Sequence, residues 1–129
     1  MSIAVEPQRL AEVIERYRFA YLMTVTDKGT PHAVQVTPTL HDGKLIAAGV
    51  GRRSRANMAA RPWVSLVWPP ELETDYSLIV DGQATLMGES LQITLTRAVL
   101  HRPRPSPTPG DSKSCGSDCI ELALALQSE

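Results

Sequence analysis

Aromatic residues are scarce, at 5% of 129 residues with a single Phe. A core must therefore rest on Val, Leu, Ile and Ala, and hydrophobic residues are plentiful enough, at 43% against 21% charged. Cysteine is limited to Cys115 and Cys119, which excludes a disulfide framework. An excess of one charge sign is missing too. The net charge of -1 argues against a nucleic-acid partner, which calls for a strongly basic surface. No apolar run is long enough to span a bilayer, so no membrane partner is expected. Residues 1–13 lack the basic-then-apolar order of a secretory signal, and a cytoplasmic location is the expectation. Neither a GxGxxG nor a Walker pattern occurs, which leaves Rossmann and P-loop readings without support. No Ser-His-Asp set follows from spacing, so no catalytic side chain is assigned. The x3 spacing of Cys115 and Cys119, with only three scattered histidines, gives weak support for a zinc site, and no metal is expected.

What is present is a succession of short apolar segments with turn signals between them. Residues 6–18 carry Leu10, Val13, Ile14 and Tyr17 at helical spacing, and Pro7 suits a first turn; a helix of about three turns is predicted. Residues 19–26 form a β-rich run closed by Asp27-Lys28-Gly29. A second strand is predicted over 31–40, with Val34 and Val36 on one face and Gln35 and Thr37 on the other. Asp42-Gly43 marks a hairpin turn leading to a third strand over 45–50. Gly49 and Gly51 then break the strand. Ser54 is predicted to cap a short helix reaching about Ala60, which Arg61-Pro62 ends. Residues 64–68, 76–87 and 91–100 supply three more strands. Residues 102–118 hold Pro103, Pro105, Pro107 and Pro109 and read as a loop. The last apolar piece, 120–126, suits a strand or a short helix. The prediction is one mainly β domain over 1–129: a six-stranded antiparallel barrel with one N-terminal helix and one short helix after strand three. A ferredoxin-like α+β sandwich is the alternative.

The segment 49–57 carries the chemistry. Its glycines let backbone approach a ligand, and a helix start offers unpaired N–H groups with partial positive charge. Ser54 adds a hydroxyl, and Arg52, Arg53 and Arg55 add forked donors matched to phosphate oxygens. Together they make an anion site. The competing reading is a solvated basic helix start with an ordinary Ser cap.

The stretch GRRSRANMAARPWVSLVW (51–68) resembles the phosphate-binding helix and following strand of the pyridoxamine 5'-phosphate oxidase-like split β-barrels. GTPH (29–32), VQVTPTLHDGKLIAAG (34–49) and YSLIVDGQATL (76–86) fit the same order, so the resemblance covers about residues 17–101. It implies a split-barrel homodimer with flavin mononucleotide (FMN) at the subunit interface, acting as an oxidoreductase on a small molecule. His32, Val34, Gln35, Val36 and Thr37 would run beside the flavin, with Ala47 and Ala48 opposite. Arg52, Arg53 and Ser54 would contact the phosphate, braced by Arg55 and Asn57. Ser77 falls where some members contribute a polar side chain from the other subunit. The deazaflavin F420 is the alternative cofactor, and a non-enzymatic flavin or haem binder the alternative function.

This chain departs from the pattern in places. The family's Ser-x-Lys or Ser-Arg-Lys reads Arg52-Arg53-Ser54 here. His32 and Thr37 replace basic residues on the cofactor-lining strand. Residues 115–129 lack the arginine and tryptophan of the oxidase's substrate segment, so the resemblance is to the family rather than to that oxidase. His41 in its turn and His101 before the proline-rich stretch read as surface histidines. Trp63 and Trp68 suit core or interface packing.

Overall fold

A computed structural model describes residues 7–103 and 117–122, the latter as backbone only. A 3₁₀ turn, Pro7–Arg9, leads into helix α1, Leu10–Ile14. This is shorter than the predicted three turns. The i→i+3 bonds Arg16 N–H to Val13 O and Tyr17 N–H to Ile14 O tighten and end the helix. Leu10 and Val13 are buried against the sheet, while Ile14 and Tyr17 pack at its margin.

The strands are β1 (Ala20–Val25), β2 (Pro31–Val36), β3 (Thr39–His41), β4 (Lys44–Ala48), β5 (Trp63–Trp68), β6 (Ser77–Met87), β7 (Ser90–Pro103) and β8 (Ser117–Leu122). All pairings are antiparallel, in the order β2-β1-β5-β6-β7-β4-β3, and β8 also pairs β7. The predicted second strand is two strands. Pro38 has no N–H to donate, and the chain leaves β1 there and goes on to pair with β4. β8 is the strand that the ambiguous C-terminal piece supplies, beginning a few residues earlier than 120. The eight strands therefore exceed the six expected.

The short Thr37-Pro38 link forces the sheet to curl. In a flat sheet seven strands wide, β2 and β3 would lie about 29 Å apart. Two linking residues reach only about 11 Å. The edges must therefore come round toward each other without pairing, which makes a split barrel.

Turn chemistry sets the registers. Asp42 (φ 52°) and Gly43 (φ 77°) form the two-residue turn that matches strand twist. Between β1 and β2, the bond Gly29 N–H to Thr26 O and the bond Thr26 N–H to Thr30 O define a three-residue loop with Gly29 at positive φ. Between Asp81 and Gly82 the β6–β7 register slips by one, leaving Thr96 as the extra residue.

The inner face holds Leu22, Leu66, Leu78, Val80, Trp68 and Ile93, all fully buried. Helix α2 (Arg52–Ala60) lies across β1 and β6, with Met58 packed into this core. No helix among the described residues is long and apolar enough to cross a membrane.

Candidate functional site

Gly51, in extended backbone (ψ 171°), is the residue that precedes and caps α2. Ser54 is not the cap, contrary to expectation. It lies in the helix's first turn, is 1% exposed, and places Oγ 3.5 Å from His32 Nδ1. One helical turn on, Asn57 Nδ2 donates to Thr24 Oγ1 at 2.9 Å. Thr24 and His32 are direct cross-strand partners on β1 and β2. The i, i+3 pair on the helix thus meets a cross-strand pair on the hairpin, and four polar side chains pin α2 to the barrel. Thr24 is fully buried, so its partner matters. Asn57→Ala is expected to cost about 1–3 kcal/mol in urea unfolding, because it strands that hydroxyl. The double change Asn57→Leu with Thr24→Val should cost less, since it leaves nothing unpaired.

The other α2 contacts sort the arginines. Arg55 Nη2 donates to the Gly88 carbonyl in the β6–β7 turn, and Arg61 Nε donates to Val25 O at 2.9 Å. Both are occupied in bracing. Arg52 and Arg53 are exposed at the helix start and make no ion pair or hydrogen bond among the described residues. They are the guanidiniums available to an anion.

Beside them lies the unpaired edge of β2. The Thr26–Thr30 bond closes the hairpin, so alternation makes Thr24–His32 and Leu22–Val34 hydrogen-bonded pairs. Pro31, which has no N–H, falls at a position that needs none. The N–H and C=O groups of Ala33 and Gln35 then point away from β1, along the edge with no strand partner among the described residues. His32 carries this edge up to Ser54 at the start of α2.

The expected cofactor-lining residues are divided by the pleat. His32 and Val34 are half-buried and Val36 is buried on the inner face; Gln35 and Thr37 are exposed on the other. Ala47 and Ala48 do not act as a pair: Ala47 is buried at 3% exposure, whereas Ala48 is exposed. The expectation that both face one ligand is corrected by strand alternation. Ser54 and Asn57 likewise point inward and Arg55 is spent on Gly88, which leaves Arg52 and Arg53 as the exposed arginines of the helix start. Ser77 opens β6 on the outer face, half-buried and paired with His101. Cys119 lies on β8, and Cys115 lies outside the described residues.

The outer face carries features the sequence reading missed. Tyr21, Val25 and Trp63 are exposed there, Trp63 at 60%. A groove of about 510 Å³ runs beside Val25 and Trp63, lined also by Met23, Pro31, Ser65 and Asp81. Across β5, β6 and β7 the row Ser65, Asp81 and Arg97 is bonded. Ser65 Oγ donates to Asp81 Oδ1 at 2.6 Å, and Arg97 Nη1 to Asp81 Oδ2 at 3.3 Å. Period-2 alternation was the signal for this face: Tyr21, Met23 and Val25 share one parity, opposite to the core residues Ala20 and Leu22.

At the start of β6, Tyr17 Oη donates to the Tyr76 carbonyl at 2.8 Å. Burial, with nearby Asp75 adding to it and Arg16 opposing, raises the Tyr17 phenol above its usual 10.0. A raised phenol favours the folded state while it stays protonated. That contribution is complete below pH 10.0 and is lost as pH rises through the higher native value. The unfolding midpoint should fall with pH in that alkaline window, and less steeply in Tyr17→Phe.

An open-seamed antiparallel barrel, with an arginine-bearing helix start beside a free strand edge, is the class that these observations define. The family described as pyridoxamine 5'-phosphate oxidase matches residues 7–102, and this chain belongs to that family. A protein of Mycobacterium bovis is 37% identical over 136 residues, covering 93% of this chain and 96% of its own. The fold is similar to that of a structure described as an F420 reductase, with TM-score 0.56 and 16% identity, over 66% of this chain and 91% of that one. It is similar also to a haem-binding protein of Mycobacterium smegmatis, with TM-score 0.62 and 14% identity, over 92% of this chain and 59% of that one. At such identities the two structures speak for the fold alone.

Proposed function

We propose that this protein binds a phosphate-bearing flavin, FMN in the first instance, and acts as an oxidoreductase on a small molecule. The observation that carries the reading is the placement of Arg52 and Arg53, uncommitted at the start of α2, beside the open edge of β2. A phosphate at the helix start would meet unpaired N–H groups, the positive end of the helix and two guanidiniums. A flat ring extending from it would lie along β2, where Ala33 and Gln35 offer alternate backbone donors and acceptors. These match the imide-like edge of a flavin, which needs both. The flavin, when bound, would supply the electron chemistry. The chain's part is to hold the phosphate and orient the ring.

The apolar outer face suggests a homodimer. Two copies meeting there would bury Tyr21, Val25 and Trp63 and bring Ser77 into the interface. A cytoplasmic protein without nucleic-acid or membrane partners accords with the balanced charge.

F420 is the second reading. Its phosphodiester would suit the same arginines, and a fold neighbour is described as an F420 reductase. A haem or flavin carrier without turnover is the non-enzymatic reading, for which the haem-binding neighbour speaks. The test is a visible absorption titration of the purified protein with FMN, then with F420. Saturable binding of FMN at one per chain is the expected result, followed by turnover of the bound reduced flavin with an acceptor. Binding of neither cofactor by folded protein would overturn the assignment.

A further inference from the structure

Helix α1, the β5–β6 connection and the outer part of β7 enclose a half-open cavity of about 370 Å³. This is the small end of the range for small-molecule pockets, enough for one or two rings. Val13, Leu100 and the rings of Tyr17 and Tyr76 give it an apolar lining. Leu72, 63% exposed, also borders it.

The walls are pre-set. Tyr17 is tied to the Tyr76 carbonyl at 2.8 Å. Arg102 lies 4.6 Å from the centre of the Tyr76 ring and donates to Thr74 O at 3.2 Å, holding both ring and loop. A wall already ordered lowers the entropy lost on binding.

The charges at the cavity oppose one another. Arg16 stands on the helix side and Asp75 and Glu71 on the loop side. Glu71 is paired with Arg18 at 4.0 Å. Arg16 and Asp75 act on the Tyr17 hydroxyl in opposite senses. A ligand with net charge of either sign therefore meets repelling as well as attracting groups, Arg102 behind Tyr76 among them. A neutral ring loses nothing to this balance and meets an apolar lining that includes the Tyr17 and Tyr76 rings.

We propose that this cavity binds a small neutral aromatic molecule of one or two rings with a polar substituent, the phenol class. It is separate from the arginine turn within one chain. Tyr76 precedes β6 and Gly88 follows it, so about 40 Å of strand lies between the cavity and the turn to which Arg55 ties α2.

The test uses the full chain, calorimetric titration and three probes of one shape: neutral 2-naphthol, anionic 2-naphthoate and cationic 2-naphthylmethylamine. The expected result is saturable binding of 2-naphthol at one per chain, tighter than either charged probe. Leu72→Asp, an exposed change that should leave the melting temperature unaltered, is expected to weaken 2-naphthol roughly tenfold. Arg53→Ala should leave it unchanged. The proposal is overturned if no probe binds saturably, if a charged probe equals or exceeds 2-naphthol, or if Leu72→Asp has no effect. Loss of binding in Arg53→Ala would also overturn it, by placing the probe at the arginine turn.

Discussion

Gly82→Ala is expected to lower the unfolding free energy by about 3 kcal/mol, the upper part of the usual range for overpacking. The melting temperature should then fall on the order of 10 °C. A Cβ at this position would stand 2.6 Å from Ile93 Cγ2 and 2.6 Å from the Thr94 carbonyl oxygen. A surface isoleucine would yield, but this one is fully buried. The carbonyl is backbone within the β6–β7 ladder. Gly82 also sits at the register slip that admits Thr96, whose Oγ1 donates to the Asp81 carbonyl at 3.2 Å. The methyl group would push the strands apart where the bulge brings them close. Thermal unfolding of the two chains under identical conditions measures the effect. An unchanged melting temperature would mean that β7 relaxes away at little cost and that the bulge is not a tight contact.

Arg52→Ala with Arg53→Ala is expected to weaken FMN binding by about 3 kcal/mol, on the order of a hundredfold. Each guanidinium offers a forked donor to phosphate oxygens, and two such contacts are rarely additive. Binding by the unaltered chain should also weaken with added salt, because both arginines are exposed to screening ions. Riboflavin, which lacks the phosphate, should bind weakly to the parent chain and be insensitive to the double change. That control separates loss of the phosphate contact from loss of fold. Equal FMN affinity in the parent and the double variant would remove both residues from the site. Ser54→Ala provides a further contrast. Its hydroxyl faces His32 at 3.5 Å rather than solvent, so a smaller loss of affinity is expected than for the arginines.

Most strand boundaries were legible because β-branched runs ended at residues with a distinct backbone preference. Asp42 and Gly43 take positive φ, as does Gly29, and all three had marked turns in the sequence. The arginine turn was legible for a similar reason, since its glycines and guanidiniums are adjacent in the chain. The break at Thr37-Pro38 was misread although the proline was in plain view. A proline at a strand edge is tolerated, so only the change of partner from β1 to β4 shows that the strand ends. Ser54 was misread as a cap because a Ser beside a helix start is the common case. Gly51 began the helix one turn earlier and left Ser54 inside it.

By itself the sequence determined the mainly β class, most of the turns, the helix after the third predicted strand and the clustering of glycines and arginines at its start. All of these depend on residues close together in the chain. Only the tertiary structure decided which arginines are available, since Arg55 and Arg61 are claimed by carbonyls of Gly88 and Val25, distant in sequence. It also decided that Thr24 and Asn57 form a buried pair, that Ser65, Asp81 and Arg97 line up across three strands, and that Tyr17 and Tyr76 wall one cavity. Pairing between remote segments depends on register, and register is set by the whole sheet rather than by any one strand.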